Sequence, residues 1–273
     1  MKFYKAIPIL FLVFFTTLNS FSQALLPLSH DITIAVDRIL NKKNCNVHTS
    51  IKPYIDDKTG PFVNLDSAIL PGAKNIFHYQ SYAMRKIFSE SFLLLDSTNF
   101  YLAADPLFNF QYGKNFDYVN DYYQNTRGVL IRGKIFKKVY FQTSFYENQA
   151  RFIDYVDKYI RHYGVAPGEI LVKDFKGGAF DYGVAYGLIS YSPNQHFNFQ
   201  FGTDKNFIGD GYRSLLLSDV GFEYPFLKIT TNYGILQYTN ILTSFQNINR
   251  DSVISAPYTW YHGFQKKAGT FNY

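Results

Sequence analysis

The sequence predicts an all-β protein, an antiparallel outer-membrane β-barrel. The barrel is expected to be incomplete and open, and to follow a short N-terminal helical element. Three observations predict this. The chain opens with the pattern of an export signal. Aromatic residues make up 19% of its 273 positions, with 24 Tyr and 28 Phe, although mean hydropathy is close to neutral. From Phe100 onward apolar and polar residues alternate with a period of two.

The signal comes first. "MKFYK" supplies two lysines, "AIPILFLVFFTTL" is a continuous apolar run, and "NSFSQA" offers small residues before Gln23. That is the order of a secretory signal peptide. The apolar run is short of the roughly 20 residues a bilayer-spanning helix needs. Cleavage is expected after Ser22, which makes residues 1–22 the signal peptide. With no cysteine at the cut, a lipid anchor there is not expected. Residues 23–98 read as a mixed loop and helix region. "IKPYIDDKTGPF" has the look of loops and short strands. "NIFHYQSYAMRKIFSESFLLL" (75–95) reads in part as helix, with one stripe of Tyr82, Lys86, Ser89 and Leu93 and another of Met84, Ile87, Phe88 and Ser91.

Residues 99–273 carry the barrel strands. In "FYLAADPLFNFQYG", Phe100, Leu102, Ala104, Phe108, Phe110 and Tyr112 share a face. Pro106 lies on that face and is awkward in a central strand, because it lacks a backbone donor. A hairpin is expected around Lys137 and Lys138. "RFIDYVDKYIRHYG" interrupts the strands as a short helix, with Phe152, Val156, Tyr159 and Ile160 on one side and Gly164 as its stop. "AFDYGVAYGLISY" and "HFNFQFGTD" alternate most strictly and are joined by "SPNQ". In the first, Phe180, Tyr182, Val184, Tyr186 and Leu188 are expected outward, with Ala179, Asp181, Gly183, Ala185 and Gly187 inward. In the second, Phe197, Phe199 and Phe201 are expected outward, with Asn198 and Gln200 inward. Large apolar residues toward lipid and small or polar ones toward the lumen is the pattern of a transmembrane barrel. "YPFLKITTNY" and "ILQYTNILTSF" then form a pair around Gly234. A secreted, soluble β-sandwich or barrel would show the same alternation and is the alternative.

Several function classes are disfavoured. A single cysteine, Cys45, permits no intramolecular disulfide. The six histidines are scattered, with no HExxH or CxxC spacing, so neither metal nor cofactor is expected. The net charge of +6 comes from dispersed lysines and arginines. Together with the export signal, that argues against a nucleic-acid partner. The partners expected instead are outer-membrane lipid and the barrel-assembly machinery.

The least ordinary stretch is "FGTDKNFIGDGYRSLLLSD" (201–219). Asp204, Lys205, Asn206, Gly209, Asp210, Gly211, Tyr212, Arg213 and Ser214 form a candidate structural or ligand-binding loop. Two glycines frame Asp210, which is turn chemistry. Asp204, Lys205, Asp210 and Arg213 are expected to bond within or around a loop packed at the barrel mouth or inside it. Asp204 and Asp210 are a carboxylate pair of the kind glycoside hydrolysis uses. No histidine lies nearby, however, and Ser214 has no visible base, so no catalytic residue is assigned and the chain is not read as an enzyme.

The same stretch carries a resemblance. "FGTDKNFIGDGYRSLLLSDVGFEYPFLKITT" resembles the G-x-D-K-x-F-x-G-x-G-Y-R-S-L-x-L-S-D block of the Wzi-like capsule-assembly outer-membrane proteins, in particular their Bacteroidetes branch with its RemB-like gliding-motility members. The matching positions are Gly202, Asp204, Lys205, Phe207, Gly209, Gly211, Tyr212, Arg213, Ser214, Leu215, Leu217, Ser218 and Asp219. "RKIFSESFLLLD", taken as a helix, and the strands "ADPLFNFQYG" and "NTRGVLIRGKI" match more loosely. The resemblance implies a non-enzymatic outer-membrane barrel that associates with surface polysaccharide in capsule assembly or attachment, in a family with a branch tied to gliding. A secreted carbohydrate-active enzyme on a β scaffold is the alternative, and a passive porin a lesser one. Barrels of that family are longer, and this sequence stops inside the strand-like "KKAGTFNY". The chain is therefore expected to be an N-terminal part, with an aromatic convex face and a Gly-, Asn- and Gln-rich concave face.

Overall fold

The structure is a computed structural model. It describes residues 25–26, 28–42, 45, 47–55, 81–88, 90–114, 121–136, 138–245 and 269–272. The expected signal peptide (1–22), most of "IKPYIDDKTGPF", Lys137 and the start of the last strand lie outside the described residues.

The described chain is mostly antiparallel sheet. Its main strands are β2 (Leu93–Ser97), β3 (Phe100–Gly113), β4 (Tyr122–Ile135), β5 (Val139–Arg151), β7 (Ala179–Tyr191), β8 (Phe197–Asp204), β10 (Tyr224–Tyr233), β11 (Leu236–Phe245) and β12 (Gly269–Asn272). They lie side by side in the order β12-β11-β10-β8-β7-β5-β4-β3-β2, and a short β6 (Lys173–Phe175) pairs with the start of β7 beyond the end of β8. This is an up-and-down meander, with each strand hydrogen-bonded to its sequence neighbours. Among the described residues β2 and β12 are the two ends of the sheet and do not pair with each other, so the sheet is open.

Three turns fall where the sequence placed them. The β4–β5 connection lies between Ile135 and Val139, the β7–β8 turn at 192–196, and the β10–β11 turn is made by Gly234 at φ +58°. The helix after β5, Asp154–Tyr163, ends at Gly164, whose left-handed φ of +74° serves as the C-cap. Its Ile160 is fully buried, while Tyr159 is exposed. Pro106 sits in β3 opposite Val129 of β4. It is tolerated because β2 reaches only as far as Ala104, so β3 is an edge strand beyond that point. The helix expected in part of 75–95 stops short of Leu93, the end of its stripe. It spans Tyr82–Phe88, and Leu93–Ser97 is strand, paired with Phe100–Ala104. Three consecutive leucines fit a helical stripe or a strand equally well, and pairing with β3 decides in favour of the strand.

The cross-strand register sorts the side chains into two faces. The outer face carries Phe108, Phe110, Val129, Phe145, Ile189, Phe197, Phe201, Tyr238 and Leu242, all exposed. On the inner face, Asn198 and Gln200 are buried beside Thr230 and Lys228, their partners across the β8–β10 ladder. The orientation expected for β8 therefore matches the register. The orientation expected for β7 is reversed. Phe180, Tyr182, Val184 and Leu188 are buried on the inner face, while Gly183 and Ala185 are exposed on the outer one. The inner face of β7 is not a wet lumen. Ala166 and Val172 from the loop after the helix, with Phe152, pack onto Tyr182 and Val184.

A separate N-terminal segment lies over the inner face. Helix α1 (His30–Leu40) buries Val36 and Leu40 against Leu26 and Tyr54 in a small core of its own. Strand β1 (Ile51–Lys52) pairs with β9 (Phe207–Ile208) of the 201–219 stretch. The segment also borders clefts with Gln142, Ser144, Tyr186 and Leu188 of β5 and β7, and with Gln200, Lys228 and Thr230 of β8 and β10.

Candidate functional site: a locked cover over a polar inner face

The 201–219 stretch divides into a buried half and an exposed half. It begins where β8 crosses β7 at close quarters. A Cβ added to Gly202 would lie 2.2 Å from the Gly187 carbonyl oxygen and 2.6 Å from the Leu188 Cα, so no side chain fits. Asp204 ends β8, and its carboxylate accepts the backbone N–H of Lys205 at 2.7 Å. The Lys205 ammonium donates to the Gly168 carbonyl at 2.8 Å, tying the strand end to the 165–172 loop. Asn206 is fully buried; its N–H donates to the Tyr224 hydroxyl at 3.0 Å, and its Oδ1 accepts from Lys228 Nζ at 2.8 Å.

The centre of the buried half is Lys52, a residue that sequence reasoning did not single out. Its side chain is 2% exposed. Nζ donates to the Gly209 carbonyl at 2.7 Å and lies 3.4 Å from both Asp37 of α1 and Asp210. The rings of Tyr54 and Phe207 flank it at 5.7 and 5.5 Å. Gly209 adopts a φ of +144° here, a conformation that disfavours any side chain, and its N–H donates to the Ser50 carbonyl at 2.8 Å. The Tyr54 hydroxyl bonds Asp37 and lies 3.0 Å from the Thr49 carbonyl oxygen. Burial, and then the bond to Asp37, push the Tyr54 phenol above its ordinary range. Asp210 therefore closes a lock on the N-terminal segment. A lysine 158 positions away had no sequence signal to announce that contact.

The exposed half runs on from Gly211. Tyr212 is exposed and stacks on His30 at 4.5 Å, and Arg213 lies over the Tyr212 ring at 5.9 Å. His30 also meets Asp219 at 3.4 Å. Ser214 is a turn residue. Its Oγ donates to the Ile208 carbonyl and accepts the N–H groups of Leu216 and Leu217 at 3.0 and 3.2 Å. These bonds occupy the hydroxyl with backbone partners. Leu215 and Leu216 beyond it project into solvent. The nine candidate residues are thus brought together in one loop, but they face in two directions, Asp204, Lys205 and Asn206 inward and Tyr212 and Arg213 outward, with the exposed Asp210 reaching Lys52 between them.

Two further features belong to the inner side. Glu169, in the loop held by Lys205, buries Oε2 without a hydrogen-bond partner. Burial raises its carboxyl above the usual range, against the pull of Lys205. Between the N-terminal segment and β8, β10 and β11 lies a cleft of about 250 Å³. Its polar wall is Gln200, Lys228, Thr230, Asn232 and Gln237, and Tyr54 is on the opposite side. Asn198 organises the floor: it donates to Ser190 and Ser192, both at 2.9 Å, and accepts from the Gln200 amide at 2.8 Å. Amide and hydroxyl side chains of this kind can hold a hydroxylated ligand by hydrogen bonds.

No family model, curated protein or solved structure is detectably similar to this chain.

Proposed function

We propose that this chain is a non-enzymatic outer-membrane protein of the β-barrel type, which holds or organises surface polysaccharide in capsule assembly or attachment. The observation that carries the membrane part is the outer face. Phe108, Phe110, Phe201 and Tyr238 are each about two-thirds exposed (65, 68, 65 and 65%), and they continue through Val129, Phe145, Ile189 and Leu242 on neighbouring strands. A water-soluble domain does not leave an aromatic band of that extent uncovered. Hydrocarbon accepts it, and a sheet satisfies its backbone there only once it closes into a barrel that leaves no unpaired edge. β3, β4, β5 and β7 run 13 or 14 residues, which exceeds the ~9–11 that a tilted spanning strand needs. The polysaccharide part rests on the resemblance of the 201–219 block and on the amide- and hydroxyl-lined inner side.

Fractionation of the expressing cells tests the proposal. The chain is expected with the detergent-extracted outer membrane, and recovery in a soluble fraction would overturn it. Polysaccharide turnover by purified protein, abolished by Asp204→Asn or Asp210→Asn, would overturn the non-enzymatic assignment.

A further inference from the structure

We infer that the bilayer meets the outer face only between its tight turns and the Arg127–Glu147 row, and that the end beyond that row, with the 152–178 and 201–219 loops, stands outside the cell. The inference deepens the outer-membrane reading above by giving it a level and a direction, and it rests on that reading.

The level comes from charge. Arg127 of β4 and Glu147 of β5 are direct partners on the outer face, two positions beyond the exposed Val129 and Phe145. Both are exposed, and among the described residues no ion pair joins them. Unpaired charges need water around them. Arg151, and Asp181 with its β6 partner Lys173, lie farther along the same face. From the Arg127–Glu147 row to the turns, the outward positions of β4, β5 and β7 carry no charge. β3, β8, β10 and β11 have none on that face along their whole length. A charge that faces lipid is costly at the bilayer midplane and tolerated near the interfaces. Arg127–Ile135 and Val139–Glu147 are each nine residues long, which matches the ~9–11 of a tilted spanning strand. The charged row therefore falls at one interface, and the turns fall at the other. Phe136, Tyr233, Ile235 and Leu236 are exposed in and beside those turns, so that end is apolar to its tips. Aromatic rings are favoured at the headgroup level.

The direction comes from the connections. Those between Ile135 and Val139, Tyr191 and Phe197, and Tyr233 and Leu236 hold three, five and two residues. At the opposite end β5 and β7 are joined through 152–178, which carries the helix Asp154–Tyr163, and β8 and β10 through 205–223, which carries most of the candidate block. Outer-membrane barrels keep short turns on the periplasmic side and longer loops outside. The surplus length of the strands lies on the side of these loops, because Tyr122–Thr126 and Asn148–Arg151 extend beyond the charged row. Charge and connection length are independent properties, and both select the same end. Lys205, bonded to the Gly168 carbonyl, ties the two loops together there. The candidate block is thus presented to the cell surface, where polysaccharide is, and not to the periplasm.

The test is labelling of intact cells with a membrane-impermeant maleimide. Cys45, the single cysteine, is first removed by Cys45→Ser. One cysteine is then introduced by Lys158→Cys, on the exposed side of the helix, or by Gln195→Cys, in the exposed β7–β8 turn. Lys158→Cys is expected to label about tenfold or more strongly than Gln195→Cys, because only the long-loop end faces the reagent. Opening the outer membrane should bring Gln195→Cys to the same level. Reversed or equal labelling of a chain recovered with the outer membrane overturns this inference alone. Recovery in the soluble fraction overturns the membrane reading and this inference with it. Should a variant fail to assemble, trypsin added to cells carrying the unaltered chain decides. Cuts at Lys158, Lys173 or Lys176, all exposed, are expected before the outer membrane is opened, and their absence would overturn the inference.

Discussion

β7 and β8 are hydrogen-bonded neighbours, paired over Gly187–Tyr191 and Phe199–Thr203, and both alternate strictly between large apolar and small or polar residues. Yet they aim their aromatic rows in opposite directions. β8 turns Phe197 and Phe201 to the exposed outer face and buries Asn198 and Gln200. β7 buries Phe180, Tyr182, Val184 and Leu188 and leaves Gly183 and Ala185 outside. The difference lies in what covers each strand. The inner face of β7 has an apolar lid, Ala166 and Val172 with Phe152. The inner face of β8 meets Ser190, Ser192 and Thr230 and a cleft, so its polar residues bond to one another. Alternation therefore reports that a strand has two unlike faces, while the cover decides which of them is inside.

Five substitutions would break or sharpen that contrast. Removing the lock on the inner cover has the largest expected effect. Lys52→Met leaves Asp37, 18% exposed, without its cation, while Asp210, 57% exposed, is taken up by water; breaking a buried ion pair by removing one partner costs up to about 3–5 kcal/mol. Limited proteolysis should then cut within 25–55 while the sheet strands stay protected; unchanged protection of that segment would show that the lock does not hold it. Next, Phe180→Ala should cost about 3–5 kcal/mol in urea unfolding from detergent, as a filled core position does. Phe201→Ala, which removes an exposed ring, should cost a small fraction of that. Equal costs would mean that the two strands do not differ as described.

Phe199→Arg addresses the outer face directly. In a bilayer it should cost about 2–4 kcal/mol if that position faces hydrocarbon. A negligible cost in lipid vesicles would remove the membrane reading of the β8 aromatic row.

The smallest effect concerns Glu169. Burial holds its carboxyl above the ordinary range, so the folded loop binds this proton more tightly than the unfolded chain does. The contribution is fully present at low pH. It declines as pH rises from the ordinary carboxylate range through the raised value. Hydrogen exchange of residues 165–172 should quicken across that interval, and Glu169→Gln should flatten the dependence. An unchanged pH profile in the variant would assign it to another group.

Much of the sheet was legible in the sequence. Two-residue periodicity placed β3, β4, β5, β7, β8, β10 and β11, and Gly164 and Gly234 marked the helix end and the hairpin by their freedom at positive φ. The turn chemistry around Asp210 was also readable, because Gly209 takes the conformation that only glycine accepts readily. These are local properties, set by neighbours a few positions apart. Three things came only from tertiary structure. The strand at Leu93–Ser97 exists because β3 pairs with it, against a helical stripe of comparable strength. The inward turn of the β7 aromatics follows from a loop that folds back over them. The Lys52 lock and the Lys228–Gln200 wall join residues 157 and 28 positions apart, through contacts of 2.7 Å in one case and direct ladder pairing in the other. A charge in a sequence does not say whether it will meet water or a distant carboxylate, because burial is a property of the packed chain and not of the residue.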